Sequence, residues 1–74
     1  MARFEVRSDI AGTVWKIVAR PGDEVGEGAP IVILESMKME IEIATLDAGT
    51  VLEIRVTEGE AVSDNQVIAV LETR

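Results

Sequence analysis

The chain has 74 residues, 14 acidic against 7 basic side chains, a net charge of −7, and neither cysteine nor histidine. This length indicates one domain near the lower limit for folding without disulfides or metals. Without cysteine or histidine the chain cannot build a thiolate zinc site, a Cys–His pair or a Ser–His–Asp triad. Acid or base chemistry by carboxylates stays open as an alternative, but 14 acidic side chains are more simply a solvated surface, so we predict no catalytic residue and no metal site. The acidic balance argues against nucleic acid, whose binding needs Lys and Arg to neutralise phosphates.

The predicted secondary structure is a series of short strands separated by turns. Residues 4–6 alternate apolar and charged side chains, which is typical of a half-buried strand. A longer strand follows Gly12, residues 21–22 form a turn, and the β-branched segment 30–36 forms the next strand. Every residue of 31–34 is apolar, so the pattern does not indicate which side chains of this strand face inward.

The rest of the chain repeats this order. A shift of 37 positions aligns residues 2–37 with residues 39–74 without a gap, and eleven of the 36 pairs are identical, against about three expected from composition. The identical pairs are Glu5/Glu42, Ala11/Ala48, Gly12/Gly49, Thr13/Thr50, Val14/Val51, Ile17/Ile54, Gly22/Gly59, Val25/Val62, Ile31/Ile68, Leu34/Leu71 and Glu35/Glu72. The repeat predicts an all-β fold of about eight strands in two equivalent sets, packed as a flattened barrel or sandwich.

Lys38 is the residue that separates the two copies. If the fold keeps the two-fold relation of the repeat, the chain ends lie close together and Lys38 lies on the opposite side, at the tip of a hairpin. Gly28 aligns with Asn65, and because both residue types tolerate positive φ, we predict the same tight turn in each copy.

The hairpin sequence ESMKME contains no glycine, although two-residue hairpin turns favour residues that adopt positive φ. One interpretation is a surface lysine whose neighbouring methionines reach into the core. The alternative is a functional tip. The acidic side chains around it are either solubilising groups or a docking surface for another protein: Glu35, Glu40 and Glu42.

Trp15 lies where the alternation of the second strand breaks. Val14 and Ile17 are apolar in both copies and are three residues apart, which predicts a β-bulge at Trp15 and Lys16. We interpret Trp15 as core filler; the alternative is an aromatic side chain that docks a partner.

The segment ESMKMEIEI, preceded by RPGDEV, resembles the biotinyl domain family, which comprises the biotin carboxyl carrier subunits and domains of biotin-dependent carboxylases. By this resemblance Lys38 would carry covalently attached biotin, and Met37 and Met39 would flank it as recognition residues. Glu35 and Ser36 would be neighbouring motif residues, although alanine is commoner than serine at the latter position.

The resemblance covers essentially the whole chain and implies a single domain, residues 1–74. The implied fold is a flattened β-barrel of two four-stranded antiparallel sheets with quasi-two-fold symmetry. The gapless repeat leaves no room for the thumb that some members insert in the first half, so the chain resembles the thumbless type.

The resemblance also implies partners. The amine of an exposed lysine is largely protonated at neutral pH and is a poor nucleophile, so attachment would require a biotin protein ligase. A biotin carboxylase and a carboxyltransferase would then use the attached biotin, and the chain would be a non-catalytic carrier, as in acetyl-CoA carboxylase. No apolar run approaches the about 20 residues of a membrane span, and MARFEVRSD lacks the features of a signal peptide, so we predict a cytoplasmic carrier, monomeric in isolation, with no membrane contact.

Two other functions stay open. A lipoyl carrier shares the fold and also modifies a lysine at a hairpin tip, but lipoyl domains typically have Asp-Lys-Ala where this chain has Met-Lys-Met. The other alternative is an unmodified barrel that serves only as an interaction module in a larger protein.

Overall fold

The computed structural model describes residues 2–73, and in this part of the chain it contains eight strands and no helix. Accordingly, none of these residues belongs to a helix long and apolar enough to cross a membrane. The predicted domain of residues 1–74 also includes Met1 and Arg74, which lie outside the described residues. The strands are β1 (Arg3–Arg7), β2 (Gly12–Ile17), β3 (Glu24–Val25), β4 (Pro30–Ser36), β5 (Met39–Ala44), β6 (Gly49–Ile54), β7 (Ala61–Val62) and β8 (Val67–Thr73).

The strands form two four-stranded antiparallel sheets, in the orders β1-β8-β6-β3 and β5-β4-β2-β7. This confirms the predicted fold class. The strand pairing of one sheet recurs in the other at the repeat distance: Val14 lies opposite Leu34, and Val51 lies opposite Leu71. Sequence repeat and backbone two-fold relation therefore coincide.

The structure assigns the inward face of β4, which the sequence left open. Val32 and Leu34 point into the core and lie opposite Ile43 and Ile41 of β5. The pairing skips Ile31, and this bulge explains why Ile31 and Val32 are both buried although they are adjacent. The buried apolar residues are Val6, Val14, Ala19, Ile31, Val32, Leu34, Ile43, Val51, Val56, Val62, Ile68, Ala69 and Leu71.

The two ends of the described chain are hydrogen-bonded to each other. The Thr73 N–H donates to the Ala2 carbonyl oxygen at 2.8 Å, and the Ala2 N–H donates to Thr73 Oγ1 at 3.1 Å. Ser36 and Met39, which flank the hairpin tip, are the equivalent pair in the other sheet. Ala2 and Thr73, the ends of the described chain, are thus adjacent, as the repeat predicts.

The turns also follow the repeat. Gly28 has φ 80° and Asn65 has φ 69°, which confirms the predicted equivalence of these two turns. After β1 and β5 the chain bends around two buried hydroxyls: Ser8 Oγ donates to the Ile10 carbonyl at 2.5 Å, and Thr45 Oγ1 donates to the Asp47 carbonyl at 2.7 Å. Each hydroxyl is buried, and its hydrogen bond to a carbonyl two residues along the chain replaces the bond that water would otherwise make.

Trp15 corrects one prediction. The pairing of β2 with β4 passes from Val14 to Lys16, so the bulge at Trp15 is confirmed. The indole, however, is 46% exposed, and the interpretation of Trp15 as core filler is wrong. The bulge turns Trp15 and Lys16 outward together, and the Lys16 ammonium lies 5.5 Å from the centre of the indole ring.

We predict that Gly49→Ala lowers the free energy of unfolding by about 1–3 kcal/mol, the usual cost of overpacking. A Cβ at residue 49 would collide with the backbone carbonyl oxygen of Glu72 in the neighbouring strand, which cannot move without disturbing β8. Urea unfolding measures the change. The matched control is Gly26→Ala, since an added Cβ there meets nothing within 4 Å; equal unfolding midpoints for the two variants would contradict the prediction.

Candidate functional site

The hairpin between β4 and β5 brings together all five motif residues predicted from the sequence. Ser36 and Met39 are paired across the strands, and the turn between them consists of Met37 and Lys38 alone. Both turn residues have positive φ, 51° and 66° respectively. Such values suit a two-residue hairpin of type I′, whose twist matches the strands. For residues with a Cβ each left-handed conformation costs about 1 kcal/mol or more.

The side chains at the tip point into solvent. Met37 is 92% exposed and Met39 is 63% exposed, so the interpretation in which these methionines reach into the core is wrong. Lys38 is exposed, and no hydrogen bond or ion pair within residues 2–73 restrains its amine. Modification of this amine would therefore break no internal contact of the described chain.

The base of the hairpin is fixed by the core. Leu34 is fully buried two residues before Ser36, and it pairs with Ile41 across the strands. On the other side of β4, Gly12 of β2 approaches so closely that a Cβ there would lie 2.9 Å from the Glu35 carbonyl oxygen. Because β4 is hydrogen-bonded to β2 on one edge and to β5 on the other, the strands from which the tip projects are rigid.

The strand face next to the tip is acidic. Glu35 and Glu40 lie directly opposite each other, and like charges in that arrangement are destabilising. The equivalent pair in the other sheet is Glu72 opposite Arg3, which combines opposite charges. Nothing in the sheet's own stability explains two carboxylates at this position.

A groove of about 520 Å³ between the edge strands β1 and β5 holds none of the five motif residues; it is lined by Phe4, Glu5, Val6, Arg7, Asp9, Glu42, Ile43, Ala44, Leu46 and Asp47. Among residues 2–73 no group of His, Cys, Asp or Glu side chains is arranged to hold a metal ion. The hairpin remains the place where exposure, backbone strain and an unrestrained amine coincide.

A small barrel that presents an unrestrained lysine amine at an exposed, strained turn has the form of an attachment domain, a class of protein that holds a covalently bound group on such a side chain. The residues present fit a group attached covalently through an amide to Lys38, because the amine is accessible and has no competing partner in the described chain.

Comparison with known proteins agrees with this class. A family model described as "Biotin-requiring enzyme" matches residues 4–71, and the chain belongs to this family of biotin and lipoyl attachment domains. It is 39% identical over 67 residues to the "Biotinylated protein TB7.3 homolog" of Mycobacterium leprae, covering 90% of this chain and 94% of the relative. It is 48% identical over 52 residues to the biotin carboxyl carrier protein of Streptococcus mutans, covering 70% of this chain and 40% of that protein.

A solved structure gives the same result for the fold. The urea carboxylase of Kluyveromyces lactis contains a region that superposes on 97% of this chain with a TM-score of 0.91 and 30% sequence identity. The chain spans 6% of that enzyme's length.

The position of the tip follows from the sequence, whereas two of its properties do not. The positive φ of Met37 follows from the two-residue length of the turn, which only the strand pairing reveals. The opposition of Glu35 and Glu40 follows from the register, since two residues lie on each side between either glutamate and the centre of the hairpin.

We predict that Met37→Asn raises the free energy of unfolding by about 0.5–1 kcal/mol, because asparagine tolerates positive φ and the methionine side chain buries almost nothing. Urea unfolding again measures the change. Met39→Asn is the matched control, since Met39 is a strand residue without positive φ and gains no relief. A Met37 variant no more stable than the wild-type chain would contradict the assigned backbone strain.

Proposed function

We propose that this chain is a biotin carboxyl carrier in which Lys38 is the attachment residue, and that residues 1–74 act as one domain. The observation that carries the proposal is the unrestrained Lys38 amine at the exposed two-residue turn. The family match and the relatives named for biotin support the choice of cofactor.

In the proposed attachment step a biotin protein ligase presents biotin as its adenylate. The Lys38 amine, deprotonated in the ligase, attacks the activated carbonyl; the C–N bond of the amide forms and the bond to the phosphate breaks. AMP leaves with the electron pair of that bond, and the nitrogen releases one proton to solvent. Met37 and Met39 frame the lysine for recognition, and Glu35 and Ser36 are its neighbours on β4. Both methionine side chains are exposed on the tip, where an enzyme can contact them before it reaches the core.

When attached, biotin would supply a ring nitrogen that accepts a carboxyl group from bicarbonate in an ATP-dependent carboxylase and yields it to an acceptor in a carboxyltransferase. The chain itself positions the attached group. Its rigid hairpin base holds the flexible lysine arm outside the barrel, and tethering raises the effective concentration of the cargo at each enzyme. In this proposal the chain is a non-catalytic, cytoplasmic, monomeric carrier in an enzyme system like acetyl-CoA carboxylase.

We predict that Lys38→Arg abolishes biotin incorporation when the chain is incubated with biotin protein ligase, biotin and ATP. Arginine keeps the positive charge, so the fold and the local electrostatics persist while the acylable amine is lost. Intact mass spectrometry measures the biotin-sized increment. Lys16→Arg is the matched control, because Lys16 is the only other lysine in the chain, and this variant should be labelled fully.

Labelling of the Lys38 variant, or loss of labelling in the Lys16 variant, would contradict the site assignment. The same measurement separates the alternatives. A lipoyl-sized increment with a lipoyl ligase, in place of the biotin-sized one, would assign a lipoyl carrier, and no increment with either ligase would assign an unmodified interaction module.

We predict further that Met37→Asn slows biotin incorporation several-fold although it stabilises the fold. The substitution leaves Lys38 and its exposure in place and removes a recognition side chain, so a lower rate cannot come from unfolding. Initial rates at limiting ligase, compared with the unfolding midpoints of the same preparations, test this. An unchanged rate would show that Met37 is not read by the ligase.

A further inference from the structure

The two sheets have equivalent backbones but different outer surfaces. On the sheet that carries the hairpin, the outward side chains between the bulge of β2 and the tip form what we call the hairpin-side face: Trp15, Lys16, Ile33, Glu35, Glu40 and Glu42. The burial pattern supports this placement, since the inward neighbours Val14, Val32 and Leu34 are buried whereas Trp15, Lys16 and the three glutamates are exposed.

The equivalent surface of the other sheet keeps two of the three glutamates, as Glu5 and Glu72, but has Arg3 in the place of Glu40. Leu52 occupies the place of the exposed Trp15 and is itself partly buried. Glu53, the counterpart of Lys16, is ion-paired with Arg55 at 2.5 Å. Two-fold symmetry of the fold therefore does not require an exposed indole beside an acidic cluster; this combination occurs only on the sheet that ends in Lys38, as far as residues 2–73 show.

The hairpin-side face is close enough to the tip to share one interface with it. Ile33 of β4, opposite Lys16, is four residues before Met37, which at about 3.3 Å per residue places the bulge at Trp15 and Lys16 about 13 Å from the tip along the strand. A standard protein interface covers about 800 Å² of each partner, equivalent to a disc of about 16 Å radius. An enzyme that admits the Lys38 arm therefore overlies Trp15 if it approaches from this side.

The charge of the face indicates what kind of surface it fits. Amide formation removes the positive charge of Lys38, which is three residues after Glu35 and two before Glu40, so the acidic character of the face is greatest after the cofactor is attached. Of the two enzymes proposed to use this form, the biotin carboxylase handles ATP and bicarbonate, both anions, and we expect the entrance to such a site to be electropositive. Opposite potentials of this kind raise association rates and make them depend on salt.

We propose, on the basis of the function proposed above, that the hairpin-side face docks the electropositive rim of the biotin carboxylase that acts on the modified Lys38. Trp15 is the anchor, because a large exposed aromatic side chain at the centre of a contact is the commonest kind of hot spot and also accepts a cation on its ring. The Lys16 ammonium lies 5.5 Å from the indole centre, so in the free chain this ring face meets the chain's own cation, which a partner's cation would have to replace. Glu35 and Glu40 steer the encounter from the side nearest the tip.

The first test uses the biotinylated chain labelled with ¹⁵N, together with an unlabelled biotin carboxylase that carboxylates it in the presence of ATP and bicarbonate. The chain contains a single tryptophan, so its indole gives one side-chain signal. We expect titration with the enzyme to shift this signal and the amides of Ile33 and Glu40, and to leave Leu52 and Arg55 unchanged. Shifts confined to the tip, or equal shifts on both sheets, would overturn the proposal.

The second test measures the dissociation constant of the same complex. Trp15→Ala should weaken binding about tenfold or more, the loss of about 1.4 kcal/mol or more that an aromatic anchor carries. Leu52→Ala, at the two-fold equivalent position, should change it little. Glu40→Gln should slow association and flatten its salt dependence, whereas Glu27→Gln, in the turn before β4 and far from the tip, should not.

Unfolding midpoints show whether each variant is folded, and the titration of the wild-type chain needs no variant. If Trp15→Ala and Leu52→Ala weaken binding equally, the docking face is wrong while the carrier function stands. If the wild-type chain takes up no biotin in the first place, the proposed function is wrong and the docking face has no partner.

Discussion

The structure depends on the burial of two central strands. β4 and β8 each pair with two neighbours, and six of their apolar side chains have no accessible surface: Ile31, Val32, Leu34, Ile68, Ala69 and Leu71. Burying an aliphatic side chain of the larger kind contributes roughly 1.5–3 kcal/mol. β4 is hydrogen-bonded on both edges and packed on its inner face, so the base of the hairpin that follows it is rigid. The mobile part of the site is the lysine side chain.

This support permits a turn that the local sequence disfavours. Elsewhere in the described chain the residues with positive φ accept this conformation at low cost: Gly22, Gly28, Gly59 and Asn65. At the tip it uses Met37 and Lys38 instead, each with positive φ and each exposed. A residue choice that costs stability and buries nothing is understandable where the side chains themselves are required by another protein.

Much of the fold could be predicted from the sequence because the repeat fixes long-range relations that local patterns do not. The equivalence of Gly28 and Asn65 and the adjacency of Ala2 and Thr73 follow from the 37-residue shift, and the bulge at Trp15 follows from the three-residue spacing of Val14 and Ile17. The direction of the Trp15 side chain could not be predicted. It depends on the register between β2 and β4 at the bulge, and the sequence pattern does not give that register. The burial of both Ile31 and Val32 likewise depends on a bulge that an all-apolar run conceals.

Comparison of the two halves of the repeat separates residues that the barrel needs for packing from surface residues that it does not need. Core positions are nearly interchangeable between the halves, as with Val14 and Val51 or Leu34 and Leu71, because both halves must fill one common interior. On the surface the halves diverge: Glu40 stands where Arg3 stands in the other sheet, and Trp15 where Leu52 stands. Packing explains the shared residues, and it gives no reason for the differences. Since the exposed indole and the Glu35–Glu40 pair lie on the sheet that presents Lys38, their origin is best sought in the proteins proposed to approach that lysine.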